Sequence, residues 1–133
     1  MIYSETDAVQ WLNTWERQIN ERDYSGASLL FDADVLAYGT LAGQLRGIDD
    51  LIQNQWQKVW PLITDFKFDQ PEFQNFNGGF ILIVSGWSSN HHKQRSIQHV
   101  RSGRATLVLK PVTSGLRCVH SHLSMLPGTQ ALL

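Results

Sequence analysis

Hydrophobic positions near the start of the chain recur at the spacing of a helix. Between about residues 5 and 21 they mark one helix face: Ala8, Trp11, Leu12, Trp15 and Ile19. Ser4 offers a capping hydroxyl and Asp7 an acid three positions later, which is the pattern of a helix N-terminus. Residues 25–31 (SGASLLF) predict a second, short helix. The chain therefore begins with two helices.

A third helix is predicted after a first strand at residues 34–40 and a turn or loop at residues 43–47. Asp49 and Asp50 lie at its start, where negative charge is favourable. Its buried face is predicted from the spacing of apolar positions: Leu51, Ile52, Trp56, Val59, Trp60 and Ile63. Pro61 stops or kinks this helix near its end.

Extended chain dominates the rest of the sequence. Strands are predicted around Pro71 and at residues 80–89, 97–110 and 116–125, with a polar loop at residues 90–95. Asn77-Gly78-Gly79 is a turn signal, and Gly103 indicates a bulge or bend in the long strand. Helices and strands are segregated along the chain. This order predicts an α+β fold in which helices cover one face of a curved sheet.

Composition limits the class of protein. A length of 133 residues predicts one domain, residues 1–133, and 42% hydrophobic with 17% charged residues is typical of a globular chain. The single cysteine, Cys118, excludes an internal disulfide. The N-terminus lacks the pattern of a signal peptide, and no apolar run reaches the roughly 20 residues of a membrane span. We therefore expect a cytoplasmic protein that does not bind membranes.

Charge is distributed unevenly. All 12 acidic residues lie between Glu5 and Glu72, so the first 72 residues carry a net charge of −7 and the last 61 carry +6. Two readings stay open: oppositely charged layers that attract each other, or a cationic sheet interior that suits an anionic ligand. Nucleic-acid binding is not predicted, because the basic residues form no dense patch and the pI is about 6.5.

Five segments of the sequence carry a resemblance to a known superfamily. They are LFDADVLAYGT (30–40), RGIDDLIQNQWQKVWPLITDFKF (46–68), VSGWSS (84–89), and RSGRATLVL with LRCVHSHLS (101–109 and 116–124). They resemble the nuclear transport factor 2-like superfamily, and within it the SnoaL-like domains, a group that includes the association domain of calcium/calmodulin-dependent kinase. The resemblance implies a cone, or cystatin-like roll: a strongly bent antiparallel sheet around three helices, with a pocket at the wide end. It also implies a homodimer, which we expect to form through the outer face of the sheet.

The sequence departs from the enzymes of that superfamily in its acidic residues. The resemblance implies a strand carboxylate as general base in isomerases and cyclases. Here the last four strands contain no acid beyond Asp65, Asp69 and Glu72 near their start, and Asp32 and Asp34 precede the first strand. A base would therefore be a histidine, or Asp34 reaching into the pocket.

The stretch CVHSHLS (118–124) supplies the candidate histidines. Regular alternation puts one set of side chains on the same strand face: Leu116, Cys118, His120, His122 and Ser124. The apolar start of this set predicts that the face points into the cone. His120 and His122 are then the acid/base candidates, with Tyr38 as a further proton donor and Ser124 beside them. Hydrogen-bonded structural histidines are the alternative.

A metal site is the sharpest alternative for His120-x-His122. It would need a third ligand, for which His99 is the best candidate, followed by His91 and His92. We predict no metal and no cofactor, because no acid follows the histidines and the joint geometry of three imidazoles has no support in the spacing.

Other residues are predicted to line the pocket. Trp56, Trp60 and Trp87 offer flat aromatic walls, and Thr40 and Gln55 border the same space. The alternative for each tryptophan is a place in the core. Arg101 or Arg104 would bind an anion; alternation lets only one point inward and favours Arg101, which shares a face with Gly103, Ala105, Leu107 and Leu109. The alternative for both arginines is an ion pair with the acidic half.

Two functions are compatible with these features. The first is a small-molecule-binding domain for an anionic or aromatic ligand, including a metal-independent lyase, isomerase or hydrolase. The second is a non-catalytic dimerisation or assembly module, as the kinase association domain is. The predicted partners are a small molecule and a second copy of the chain.

Overall fold

The computed structural model describes residues 2–94 and 97–126, and the side chains of residues 93, 94 and 97–99 are outside that description. Within these residues there are three helices: α1 (Glu5–Glu21), α2 (Tyr24–Ser28) and α3 (residues 48–62). Six strands complete the fold: β1 (Phe31–Tyr38), β2 (Gln44–Arg46), β3 (Ile63–Asn75), β4 (Ile81–Gln94), β5 (Ile97–Val112) and β6 (Gly115–Met125). They form one sheet in the order β2-β1-β6-β5-β4-β3. The predicted α+β class is confirmed, and β1 with β6 is the single parallel pair of this sheet in the described chain.

Helix α1 forms as its sequence predicts. Ser4 and Asp7 make the capping box: the Asp7 amide donates to Ser4 Oγ at 3.3 Å, and the Ser4 amide donates to Asp7 Oδ2 at 2.7 Å. The helix ends at Glu21, and the cap residue that follows, Arg22, has a left-handed backbone with φ 57°. The predicted apolar face is buried against the concave side of the sheet.

Three predicted boundaries were wrong. The second helix ends at Ser28, and β1 already begins at Phe31. The segment 43–47 contains the short strand β2. Residues 90–94 are not a loop: β4 continues through them, paired with β5 as far as Gln94 opposite Ile97. The loop was predicted from the polar residues of this segment, but inward-facing strand positions that line a pocket, such as His91, need not be apolar.

Two β-bulges bend the edge strand β3. The register with β4 shifts between Thr64 and Lys67 and again between Asp69 and Glu72. A residue with left-handed backbone lies in each shift, Asp65 with φ 55° and Gln70 with φ 52°. Bulges add bend and twist to a strand, so these positions help the sheet curl around the helices.

Side chains of α1 cover part of the β3 edge. The Asn20 amide group bonds both backbone groups of Phe66, donating to its oxygen and accepting from its nitrogen at 2.8 Å each. Glu16 Oε1 accepts from the Phe68 amide at 2.7 Å. These contacts satisfy backbone groups that an edge strand would otherwise expose to pairing.

Gly103 does not mark a bulge, because β5 pairs regularly with both neighbours there. A Cβ at this position would overlap the Trp87 ring and the carbonyl oxygen of Ser124. The glycine is therefore explained by the close approach of the indole to the backbone. None of the helices in residues 2–94 and 97–126 has the length and apolar character needed to cross a membrane.

Candidate functional site

A β-bulge interrupts β6 at Val119. Leu109 of β5 pairs with Cys118, but the preceding residue Val108 pairs with His120, so Val119 is an extra residue without a partner. One inserted residue reverses which side chains face the core from that point onward.

The bulge moves the predicted histidines to the outside of the cone. Beyond it Ser121, only 3% exposed, and Leu123 face inward, while His122 is exposed. The prediction that His120, His122 and Ser124 point into the pocket was therefore wrong. A signal was present in the sequence: the apolar residues shift from even positions (Leu116, Cys118) to odd positions (Leu123, Met125) along this strand.

On the outer face the two imidazoles pack beside Tyr38. Ring centroids lie 6.3 Å apart for Tyr38 and His120 and 5.1 Å apart for Tyr38 and His122. His120 Nδ1 lies 2.9 Å from the Leu36 carbonyl oxygen, and because a carbonyl only accepts, Nδ1 carries the proton. Tyr38 contributes to the rim of the pocket, but it is 43% exposed and its ring contacts these outer histidines. A common catalytic role for the three inside the cone is therefore not supported.

A pocket lies between the helices and the concave face of the sheet. Its empty space, counted out to the open mouth, is about 620 Å³. Helices α1 and α3 form one side, and the concave face of the sheet forms the other. It is lined by Trp15, Ile19, Tyr38, Gly39, Thr40, Leu51, Gln55, Trp56, Val59, Trp60, Ile63, Phe66, Trp87, Ser89, His91, Arg101, Ser121 and Leu123.

Two aromatic stacks form walls of this pocket. On the helical side, the rings of Trp56 and Trp60 stack at 4.6 Å and 17°, and Tyr24 stacks on Trp60 at 5.2 Å and 12°. On the sheet side, Phe66 and Trp87 stack at 5.8 Å and 19°. The tryptophans predicted as walls do line the cavity, while their part in ligand binding stays a prediction. Flat rings on two sides favour a flat guest.

Gln55 fixes the loop at the pocket mouth. Helix α3 contains a π-helical turn, residues 52–56, and this turn contains Gln55 and Trp56, both buried. Gln55 Oε1 accepts from the amides of Leu41 and Ala42 at 3.2 and 3.1 Å, and its Nε2 donates to Thr40 Oγ1 at 3.1 Å. One side chain therefore holds three successive loop residues. π-Helical turns are often found at functional sites.

The polar end of the pocket lies on β4 and β5. Ser89 pairs directly with Arg101 across the two strands, and His91 lies two residues further along the same inward face of β4. His91 is only 7% exposed. In residues 2–94 and 97–126 the structure contains one ion pair, between Lys110 and Asp32, so Arg101 faces the pocket without a carboxylate partner from that part of the chain.

Sequence reasoning missed the pocket roles of Ser89, His91 and Ser121. For β4 the signal was the odd-numbered alternation: Ile81, Ile83, Ser85, Trp87, Ser89 and His91 are all buried. This alternation continues beyond the apolar residues into residues 90–95, which were predicted as a loop.

Arg104 takes no part in the cavity. It lies on the outer face and is exposed, while its backbone oxygen accepts from Trp87 Nε1 at 3.2 Å. The prediction that one arginine faces inward and the other outward agrees with this geometry. The ligand-binding role predicted for Arg104 in the pocket is therefore not supported, whereas Arg101 is in position to contact a ligand.

The single cysteine, Cys118, is buried and its thiol is not reactive. Burial raises the pKa of the Cys118 thiol to about 12, so no thiolate is present at neutral pH.

No three His, Cys, Asp or Glu side chains within the described residues come together as a metal site. The His99 side chain, the predicted third ligand, lies outside the described residues.

Comparison with known proteins places this geometry among solved structures. No family model matches the sequence, and no curated protein matches it significantly. A putative calcium/calmodulin-dependent protein kinase II association domain from Xanthomonas campestris is similar at a TM-score of 0.83 and 10% identity, over 95% of this chain and 90% of that one. ActVI-ORFA from Streptomyces coelicolor is similar at a TM-score of 0.76 and 14% identity, over 91% of this chain and 96% of that one.

A third similar structure names the fold. It is a nuclear transport factor 2-like protein with a cystatin-like fold from Novosphingobium aromaticivorans, with a TM-score of 0.75 and 11% identity over 96% of this chain and 84% of that one. Sequence identities of 10–14% show a shared fold and nothing about function. The chain has the cystatin-like fold of these nuclear transport factor 2-like structures, which is the fold that the sequence resemblance implied.

Proposed function

We propose that this domain binds a small, planar organic anion in the pocket inside the cone. The observation that carries the proposal is Arg101, a guanidinium that faces an aromatic-walled cavity and has no carboxylate partner among the described residues. A guanidinium holds a carboxylate or phenolate through charge-assisted hydrogen bonds. The aromatic stacks would contact the faces of the guest.

Polar side chains around Arg101 support the same ligand class. Ser89 and His91 lie on the neighbouring strand, and Ser121 is at the inward side of β6. Few polar groups in a mostly apolar cavity are typical of sites that orient one end of a small molecule. Metal-independent lyase, isomerase or hydrolase activity is compatible with such a site.

Calorimetric titration with 2-cyano-4-nitrophenolate, a small planar anion, tests the proposal. Wild type and Arg104→Met should bind it equally within about twofold, because Arg104 is on the outer face. Arg101→Met should weaken binding by about tenfold or more, the loss expected for a hydrogen bond to a charged group. Equal binding by all three proteins, or no binding by wild type, would contradict the proposal.

A second candidate function is a non-catalytic assembly module that forms homodimers. The outer face of the sheet favours it, because Leu36, Tyr38 and Val84 are between 38% and 43% exposed there. The similarity to a putative kinase association domain points the same way. Light scattering at micromolar concentration should give a dimer for wild type and a monomer for Val84→Glu; a monomeric wild type argues against assembly through this face.

A further inference from the structure

We infer that His120 and His122, the outer histidine pair, bind a divalent transition-metal ion on the outer face of the sheet, with copper(II) preferred over zinc(II) and nickel(II). This inference goes beyond the proposed function and does not need the pocket, because both imidazoles lie outside the cone beside Tyr38. It assigns a binding site to two side chains that the pocket does not use.

The geometry of β6 brings the two imidazoles together. Both histidines follow the bulge at Val119, and they occupy consecutive outward positions, because Ser121 between them faces inward. Consecutive positions on one face of a strand are about 6.6 Å apart along the backbone. Two histidine side chains at this spacing can lean together, so that one nitrogen of each ring reaches the same ion at about 2.0–2.1 Å.

His120 presents a nitrogen that is ready to bind a metal. Its Nδ1 donates a proton to the Leu36 carbonyl oxygen at 2.9 Å. A neutral imidazole has only one protonated nitrogen, so Nε2 of this ring carries a lone pair. Histidines that bind metals commonly donate their other ring N–H to a carbonyl or a carboxylate, which fixes the tautomer and the direction of the ring. His120 has this arrangement.

His122 and Tyr38 complete the arrangement. Within the described part of the chain no hydrogen bond engages the ring nitrogens of His122, so one of them has a lone pair for an ion. Tyr38 pairs with His122 across the parallel strands β1 and β6, and its ring also contacts His120. This contact restricts the orientations of both imidazoles, so less conformational freedom is lost when an ion binds.

The donor atoms select the class of ion. Imidazole nitrogen suits copper, zinc and nickel, whereas calcium and magnesium take oxygen ligands. Copper(II) is at the top of the affinity order of divalent first-row ions for such donors. Two protein ligands are enough for a chelate on the outer face, because water can supply the remaining positions there.

His91 and His92 provide a contrast within the same sheet. They are adjacent on β4, and alternation sends them to opposite faces: His91 is 7% exposed in the pocket, and His92 is exposed outside it. His92 Nε2 lies 2.9 Å from Thr64 Oγ1. Two adjacent histidines on opposite faces cannot share one ion, so His92 is a matched control for the outer histidine pair.

The charge around the site should keep the affinity moderate and dependent on pH. The charged residues of β1, β2, β5 and β6 outside the pocket are Asp32, Asp34, Arg46, Arg104, Lys110 and Arg117. Lys110 and Asp32 form an ion pair, so the remaining three arginines outnumber one acid and disfavour a dication. Protons compete with the ion for the same lone pairs, so binding should weaken as pH falls through the range of histidine.

Calorimetric titration with copper(II) tests the site. The protein carries no histidine tag, and glycine in the buffer competes for weakly held copper. Wild type and His92→Gln should bind one ion per chain with affinities within about twofold. His120→Gln and His122→Gln should each weaken binding by at least about tenfold, because the partners of metal ligands alone contribute 10–100-fold and a lost ligand should cost no less.

Spectroscopy identifies the donor atoms. The electron paramagnetic resonance spectrum of copper(II) bound to wild type should show splitting from two imidazole nitrogens, and His122→Gln should lose one of them. Zinc(II) should shift the ring signals of His120 and His122 in NMR spectra and leave those of His92 in place. Repeating the titrations in Val84→Glu keeps the site accessible if wild type assembles through this face.

Several results would overturn the inference. They are equal copper affinity in wild type and His122→Gln, a loss of binding in His92→Gln, or no binding in both wild type and Val84→Glu. His122 is exposed, so its substitution by glutamine leaves the core intact and the test does not depend on His120→Gln folding. Failure here leaves the proposed function untouched, because phenolate binding is tested through Arg101 on the opposite face of the sheet.

Discussion

Two sets of histidines on one sheet differ in what surrounds them. His91 on β4 is buried in the pocket lining, whereas His120 and His122 on β6 lie beside Tyr38 on the outer face. Both strands read as alternating patterns, and the difference between them is the single extra residue Val119. A site residue in a sheet is therefore determined by the register that precedes it as much as by its own chemistry.

The inner and outer faces of the sheet should also differ in how much a substitution lowers the free energy of unfolding. The inner face holds the core and the proposed site, and the outer face holds half-exposed side chains. Paired substitutions, one at a buried position and one at a more exposed position, test this assignment.

Adjacent residues on β5 give the largest expected contrast. Leu107 is fully buried at 0% exposure, and Val108 next to it is on the outer face. Leu107→Ala should lower the free energy of unfolding by about 2–5 kcal/mol, because a cavity remains in the core. Val108→Ala should cost less than about 1 kcal/mol. Urea denaturation measures both, and a larger loss for Val108→Ala would reverse the assigned faces.

Two glycines give the next contrast. A Cβ at Gly103 would overlap the Trp87 ring and the Ser124 carbonyl, whereas a Cβ at Gly43 meets no atom within 4 Å. Gly103→Ala should therefore destabilise the protein by about 1–3 kcal/mol and change tryptophan fluorescence as Trp87 moves. Gly43→Ala should be neutral or slightly stabilising. If Gly103→Ala left the tryptophan fluorescence and the free energy of unfolding unchanged, the strand backbone would have to move enough to accept the methyl group.

Much of the fold follows from the sequence because long periodic segments leave one solution. Helix α1 carries both its cap and its buried face in residues 4–21, and the structure contains it as predicted. The order of helices and strands was enough for the α+β class. Strand ends were less predictable, since β4 continues into polar residues that face a cavity.

The candidate site was only partly predictable. Arg101 was placed inward by its apolar neighbours in the alternation, and Gln55 by its place at the border of the buried helix face. His120 and His122 were misplaced because alternation was carried across Val119, although the change of apolar parity after Cys118 was visible. Gln55 lies in a π-helical turn, for which the sequence has no local signal, and its bonds to residues 40–42 were not predicted.

Hydrogen bonds at the pocket mouth and on the outer face of the sheet should show a smaller difference in their effect on stability and hydrogen exchange. Gln55→Ala removes three bonds to the mouth loop and should cost about 1 kcal/mol, since water can reach part of the freed loop backbone. The amide hydrogens of Leu41 and Ala42 should then exchange faster, as hydrogen exchange measured by NMR would report. His120→Ala, which removes one bond to the Leu36 carbonyl on the outer face, should leave those two amides unchanged. Equal exchange in wild type and Gln55→Ala would mean that the loop is held by other contacts.

The reactivity of thiols on β6 tests which face each residue occupies, with the smallest expected effect on stability at neutral pH. Cys118 lies inward before the bulge, and burial raises the pKa of its thiol to about 12 from the ordinary value of 9.0. It should therefore not react with a thiol reagent at pH 8 in the folded protein, whereas His122→Cys should introduce one thiol that reacts at once.

The same raised pKa predicts a loss of stability in alkali. The unfolded thiol loses its proton near pH 9 while the folded one keeps it until about pH 12, so between these values the unfolded chain binds fewer protons and the free energy of unfolding falls as pH rises. Below pH 9 this contribution is complete and constant. Cys118→Ala should lose that part of the alkaline slope and keep the part due to other groups, in urea titrations from pH 8 to 11. Identical slopes in the two proteins, or rapid labelling of Cys118, would place this residue on the accessible face and undo the assignment of β6 on both sides of Val119.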